Sequence, residues 1–547
     1  MAEIKKNKRQ NYISKNSIQV VGLFVIVITT LVKWLFMSKQ ISTGHNVYLI
    51  VLVCLVSISA IISFTLREIV SKAVSYRKSR GQYKNALRIM KTAAFISFFI
   101  GILFCVMSLL FAGRMTNTLF SLGAYGTFPF IFLSASMPFI FLWSVLLGSF
   151  DGFDFYTPDG IAQIIFGISN MLFSIIFILV GCNMGKKHAA LLHDDRVLNT
   201  FGATGAAAGF MVASIFVVLW LLVLFKAFRR KMRSSISEDT SRNRESIAEQ
   251  IVGLSTACGT PFARYLALWG PLFLNEILFF KFFKWPVQFS SVGFPDTYYA
   301  QYILTFFWFF LPCGLTGILA KHAEEYLYKT MRKDDLYHSG MYIVLIFKQF
   351  LCTILPLITV IGVCLKSLQT SIFGVECTGE WLYATICLLF GIAFLFSCML
   401  KGLGKEWLGI IAGLTALVIQ SISAVFLFSK ECYTAERILY SNVIYVLVFL
   451  CVCTFFIYRY CVYKKQLMRH LFMPLIAAFA ASISAVLCML LKNAVGHIIA
   501  VLITLIVAFV VHMTALIVMG SIKETELSDL PQGNLMYKLG KIIGIYS

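Results

Sequence analysis

The sequence predicts an all-α polytopic membrane protein, and three observations carry that prediction. Hydrophobic residues make up 59% of the 547, only 13% are charged, and the mean hydropathy is +0.83. A soluble globule of this length has too little interior to hide so much apolar surface. The apolar residues also come in runs of about 20, the length a helix needs to cross a bilayer. Finally, the basic residues are shared unevenly among the segments between the runs. A net charge of +22 would suggest nucleic acid in a soluble chain. Here it suggests a membrane face turned toward anionic lipid, and no nucleic-acid partner is expected.

Taken in order, about 14 spans are expected. The first six cover 17–37, 46–66, 92–112, 126–148, 160–183 and 203–227, and the next six cover 265–283, 298–320, 341–365, 381–400, 407–428 and 438–458. Two more follow at 472–491 and 496–520. Lys5, Lys6, Lys8, Arg9 and Lys15 precede the first run as they would in a signal sequence, but no small-residue cleavage site follows, so an uncleaved helix is expected. With a cytoplasmic N-terminus, the inner segments hold about 34 of the 47 Lys and Arg and the outer ones about 11, leaving Lys33 and Lys348 inside spans. Both termini are therefore expected on the cytoplasmic side. The basic segment Arg67–Lys91 and the segment Lys226–Arg264 contribute most to the bias.

Ser234–Gln250 is the only polar linker of its kind in the chain, and the starts of spans 1–6 and 7–12 are offset by about 250 residues for most pairs, as a duplicated unit would give. The expected organisation is an N-terminal six-helix bundle over 1–233, a cytoplasmic linker over 234–262, a C-terminal six-helix bundle over 263–465, and two extra spans with a cytoplasmic tail over 466–547. Two such bundles packed as a V would enclose a central cavity. Fifteen cysteines fall mostly inside apolar runs, where they act as small hydrophobes, and form no zinc pattern. Cys377 and Cys432 could pair if both lie in outer loops.

The joint between spans 4 and 5 is the most sharply specified. An apolar helix ends near Gly148, the turn carries Asp151, Asp154 and Asp159 with no basic residue, and Thr157-Pro158 opens the next helix, where proline's missing N–H costs nothing. This stretch, Gly148–Gln163, resembles a signature of the SpoVB/MurJ-like branch of the multidrug/oligosaccharidyl-lipid/polysaccharide (MOP) superfamily of flippases. Thr204–Gly209 resembles that family's small-residue start of span 6, and Lys401-Gly-Leu-Gly-Lys405 its turn between spans 10 and 11. Leu527–Gly533 with Tyr537–Gly540 resembles its C-terminal tail. Gln40–Tyr48 and Asn275–Ile277 depart from the family pattern. The resemblance implies a V-shaped, MATE/MurJ-like fold, a bacterial cytoplasmic-membrane location, and movement of a polyprenyl-diphosphate-linked glycan across that membrane by alternating access. The alternative within the superfamily is a MATE-type multidrug exporter coupled to a cation. A monomer is expected, with membrane lipids and the glycan lipid as partners.

No Walker loop, zincin, nucleophile elbow or catalytic carboxylate pair occurs, so a secondary transporter is expected and not an enzyme. No cofactor is expected beyond sodium or a proton as coupling ion. An ionisable group in the hydrocarbon costs about 3 kcal/mol on insertion scales and usually faces a cavity. On that ground Lys33, Arg67 and Lys348 are candidate headgroup cations, and the resemblance, which implies a basic residue lining the cavity near the end of span 2, supports Arg67 and adds Lys72. Each has a plainer reading: Lys33 could snorkel, Arg67 and Lys72 could be inner-face anchors, and Lys348 could pair with a carboxylate. Glu276, close in depth to Gln420, is a candidate for ion coupling with Gln420 and Asn442, as in relatives that bind sodium among spans 7, 11 and 12; an ion pair to Lys281 or Lys348 is the competing reading. Asp151 and Asp154 are gate candidates against Arg67, Lys72 or Arg77, whereas Asp159 reads as a helix-terminus acid. Pro271, Pro312 and Pro356 could bend spans 7, 8 and 9. The aromatic run Phe306–Phe310 is expected to face lipid.

Overall fold

The computed structural model describes residues 2–119, 122–194, 196–237, 239, 244–282, 295–331, 336–374, 379–429, 436–459, 472–492, 496–522 and 533–545. Cys377, Cys432 and the tail stretch 527–532 lie outside them. Every regular element among the described residues is helical. In order these are α1 Ala2–Gln40, α2 Ser42–Ser79, α3 Tyr83–Arg114, α4 Thr127–Ala135, α5 Met137–Gly152, α6 Thr157–Leu192, α7 Arg196–Lys231, α8 Arg233–Ser237, α9 Ile247–Thr256 and α10 Gly259–Phe282. They continue with α11 Pro295–Phe307, α12 Phe310–Met331, α13 Leu336–Thr353, α14 Leu355–Phe373, α15 Glu380–Gly402, α16 Glu406–Ser429, α17 Glu436–Tyr458, α18 Met473–Met489, α19 His497–Val518 and α20 Gly533–Ile543. Short π and 3-10 turns link α3 to α4.

Among the described residues, 11 helical stretches are long and apolar enough to cross a membrane, or 12 if α11 and α12, bent by 52°, count as one span. The two other expected spans coincide with α10, 24 residues long, and α18, 17 residues long. The chain is a multi-pass membrane protein. Three of the breaks inside spans sit shortly before a proline: Ser136 before Pro138, Trp308–Phe309 before Pro312, and Ile354 before Pro356. A proline supplies no N–H to the carbonyl four residues earlier and its ring crowds that carbonyl, so the helix bends there. Pro271, by contrast, lies inside the unbroken α10. The break at Trp308 also changes the aromatic run. Phe307 and Phe309 are buried, Phe306 packs edge-on against Tyr302 and Tyr383, and only Phe310 of the phenylalanines there is exposed, contrary to the expected lipid-facing stripe.

By contacts, residues 15–300 with 424–433 form one compact unit, and 1–14, 301–423 and 434–547 the other. The division falls near residue 300, beyond the polar linker, because α10 packs along α2. Within the first unit, α5 lies close against α2 and α3, and α6 and α7 form a tight antiparallel pair. Gly148 permits the α2–α5 approach, since a Cβ there would stand 2.3 Å from the Arg67 carbonyl oxygen. Gly205 plays the same part between α7 and α6, where a Cβ would meet the Phe177 carbonyl oxygen at 2.2 Å. Small residues let helix backbones meet in a medium that offers no hydrophobic drive to association. The turn between α6 and α7 is pinned by Tyr125, whose hydroxyl donates to Asp194 at 2.6 Å; this bond and the Arg196 N–H hold the Asp194 carboxyl below its usual range.

The basic segment Arg67–Lys91 comprises the end of α2, a turn at Arg80–Gln82 and the start of α3. The polar linker docks on this hairpin. Arg77 grips Glu245 through Nε and Nη2 at 2.6–3.0 Å, the Lys84 N–H donates to Asp239 at 2.6 Å, and Thr92 donates to Gln250 at 2.6 Å. A capping box of Ser246 and Glu249 starts α9. In the second unit, α18 and α19 pack on each other and on α14 through Val360, Cys364, Ala481, Ala485, Ala500 and Ala508.

Candidate functional site

At the basic end of the first unit, the acidic joint and the end of α2 form one charged network. Arg67 Nε donates to Asp151 at 2.8 Å and its Nη2 to Asp159 at 2.9 Å. Gln19 of α1 and Gln163 of α6 also donate to Asp159, at 3.3 and 3.4 Å. One guanidinium thus bridges both sides of the joint, and its planar fork suits two acceptors at once. Asp159 lies in the first turn of α6, as its reading as a terminus acid expects, and is also part of this cluster. Asp154 pairs with Lys78 at 2.6 Å and takes a left-handed backbone conformation, φ 60°. Lys72 pairs with Glu68 one turn away at 2.8 Å.

Sequence reasoning missed a second element of this end. Arg264 of α10, counted only as a basic anchor, forms an ion pair with Glu68, and the Tyr265 hydroxyl donates to the same carboxylate at 3.1 Å. Arg264 is buried, and the Glu68 side chain is 9% exposed. One turn deeper, Phe64 stacks on Tyr265 at 5.5 Å and on Trp269 at 5.9 Å. The contact between α2 and α10 is therefore an ionic layer backed by an aromatic one. The signal in the sequence was an opposite charge at the same depth in spans 2 and 7, with aromatics four or five residues further in.

Deeper in the same unit lies Lys33, 2% exposed. Its Nζ donates to the Tyr48 hydroxyl at 2.9 Å, lies 4.9 Å from that ring's centre, and reaches Asn170 Oδ1 at 3.5 Å. Buried His45 lies beside this group, its ring 6.1 Å from that of Trp34. No carboxylate pairs with Lys33 among the described residues. The side chain does not snorkel to the surface.

Glu276 of α10 is fully buried, and neither carboxylate oxygen has a hydrogen-bond partner among the described residues. Its expected companions lie in the second unit and bond each other: Gln420 Nε2 donates to Asn442 Oδ1 at 3.1 Å, and Asn442 Nδ2 donates to the Tyr302 hydroxyl at 2.8 Å. In that unit Lys348 is also buried, and its Nζ donates to the Ser521 carbonyl at 2.6 Å. Ser521 follows the end of α19, where unpaired carbonyls attract a cation. The acceptor is backbone, so no residue type in the sequence announced it.

In its fold the chain resembles several solved transporters. One is a MATE protein in its straight conformation, with TM-score 0.56, 13% identity, and 83% of this chain and 96% of that one covered. Another is a multidrug resistance MATE family transporter of the MOP superfamily in its inward-facing conformation, with TM-score 0.54, 13% identity, and 82% and 100% covered. A third is a MOP superfamily transporter from Pyrococcus furiosus Vc1 (DSM3638), described as having a binding pocket of reverse polarity that suggests a different function, with TM-score 0.56, 13% identity, and 83% and 96% covered. No protein-family model and no curated protein matches the sequence. The likeness shows a MATE-like fold.

Proposed function

We propose that this chain is a MOP-superfamily transporter, not an enzyme, that moves a polyprenyl-diphosphate-linked glycan across the bacterial cytoplasmic membrane by alternating access, with its basic end and both termini inside. The observation that carries the reading is Lys33, a buried amine whose partners among the described residues are all neutral. A buried charge without a counter-ion is costly, and an incoming diphosphate supplies the missing charge. The basic end is the inner gate. Glu68–Arg264 and the Phe64–Tyr265–Trp269 stack join α2 to α10, and inward opening parts them. The Arg67–Asp151–Asp159 cluster keeps α2 on the joint throughout. Arg67, Lys72 and Lys348 each hold a protein partner in this state, so Lys33 carries most of the headgroup recognition. The Pyrococcus furiosus neighbour, with its pocket described as of reverse polarity, is consistent with a fold that serves more than one substrate class.

Glu276 favours a second reading, a cation-coupled multidrug exporter. A fully buried acid without a hydrogen-bond donor is suited to carry a proton or a sodium ion, although it serves equally as the coupling site of a flippase. Thermal unfolding in detergent separates the two readings. At a hundredfold excess over Kd a ligand of the folded state stabilises it by about 2.7 kcal/mol. The expected result is an upward shift of the midpoint with a polyprenyl-diphosphate glycan and none with a cationic dye; a shift with the dye alone removes the flippase reading.

A further inference from the structure

A cavity of about 190 Å³ opens at the basic end of the first unit, away from Lys33 and from the α2–α10 contact. Its walls are Lys84, Arg88 and Lys91 of α3 and Arg229 of α7; its floor is Leu87, Phe225 and Ile236. The three α3 cations are spaced by four and three residues, so they share one helix face. Lys84 already holds Asp239 through its N–H and the Asp239 carbonyl through Nζ. Among the described residues, the side chains of Arg88, Lys91 and Arg229 make no ion pair or hydrogen bond. Like charges gathered around an apolar floor repel one another unless an anion joins them.

The same face of α3 continues as Phe95, Phe99, Ile102 and Val106, of which Phe95 is 75% and Phe99 61% exposed. In a membrane-spanning helix such side chains face acyl chains. From Lys84 to Lys91 is about 10 Å along the axis, comparable to the depth of a headgroup layer, and the apolar stripe begins one turn further. A cationic cradle that runs directly into a lipid-facing stripe matches a molecule with a phosphate head and hydrocarbon tails.

We propose that this cavity binds the phosphate of an anionic phospholipid whose chains lie along α3. The linker closes it, because Ile236 forms part of the floor and Asp239 fixes Lys84. Occupancy thus ties the lipid to the segment that connects the two expected bundles.

The test is native mass spectrometry of the full chain in detergent, titrated with short-chain phosphatidylglycerol, short-chain phosphatidylcholine and inorganic phosphate. Each cation at a membrane surface contributes about fivefold in affinity. Arg88→Gln/Lys91→Gln is expected to lose about thirtyfold for phosphatidylglycerol, and Arg229→Gln, on the other helix, about fivefold. Lys226→Gln/Arg230→Gln, which removes two charges outside the cavity, is expected to bind as the wild type does. The proposal is overturned if that control pair loses as much as Arg88→Gln/Lys91→Gln, if phosphatidylcholine binds as tightly as phosphatidylglycerol, or if inorganic phosphate displaces the lipid at equal concentration.

Discussion

Arg67→Ala destabilises the folded protein by about 3 kcal/mol, the low end of the range for breaking a buried ion pair from one side. The guanidinium bridges Asp151 and Asp159, and the three side chains are 18%, 10% and 13% exposed. Removing it leaves two carboxylates facing each other with the charge that separated them gone. The close approach at Gly148 leaves no room for the helices to relax apart without losing the α2–α5 contact. Thermal unfolding in detergent measures the loss, and Arg67→Ala/Asp151→Asn/Asp159→Asn should recover much of it. If the single variant unfolds at the wild-type midpoint, the cluster does not hold the joint.

Lys33→Met has the opposite pattern, a large effect on transport and a small one on stability. The methionine gives up the hydrogen bonds to Tyr48 and Asn170 but also removes a buried charge, so stability changes by no more than about 1 kcal/mol. Transport of a diphosphate-bearing lipid loses a charge-assisted contact of about 1.5–3 kcal/mol, a ten- to hundredfold fall. Lys33→Arg, which keeps the charge, retains more activity than Lys33→Met. Equal transport by wild type and Lys33→Met would mean that Lys33 does not meet the substrate.

Much of the fold was legible because bilayer-crossing helices are written as long apolar runs, and proline marks where several of them bend. The ends of those helices were less legible. Arg67–Lys91 reads as a separate basic stretch because charge interrupts hydropathy, yet backbone hydrogen bonding carries α2 and α3 through it. A capping box at Ser246 and Glu249 starts a helix within what otherwise reads as polar linker. In the site, candidate charges could be named from depth alone, but their partners could not. Lys348 meets a carbonyl beyond α19, and Glu68 meets Arg264 nearly two hundred residues away. Distance in sequence hides such a pairing, and a backbone acceptor leaves no residue signature at all.

The most direct test of the proposed activity is transbilayer movement of a polyprenyl-diphosphate glycan in proteoliposomes containing the purified protein, followed by accessibility of the glycan to an external lectin. The account predicts that the wild type equilibrates the glycan lipid between leaflets, that Lys33→Met does so at least tenfold more slowly, and that a cationic dye is not moved. Dye transport by the wild type, with the glycan lipid left in its original leaflet, would contradict it.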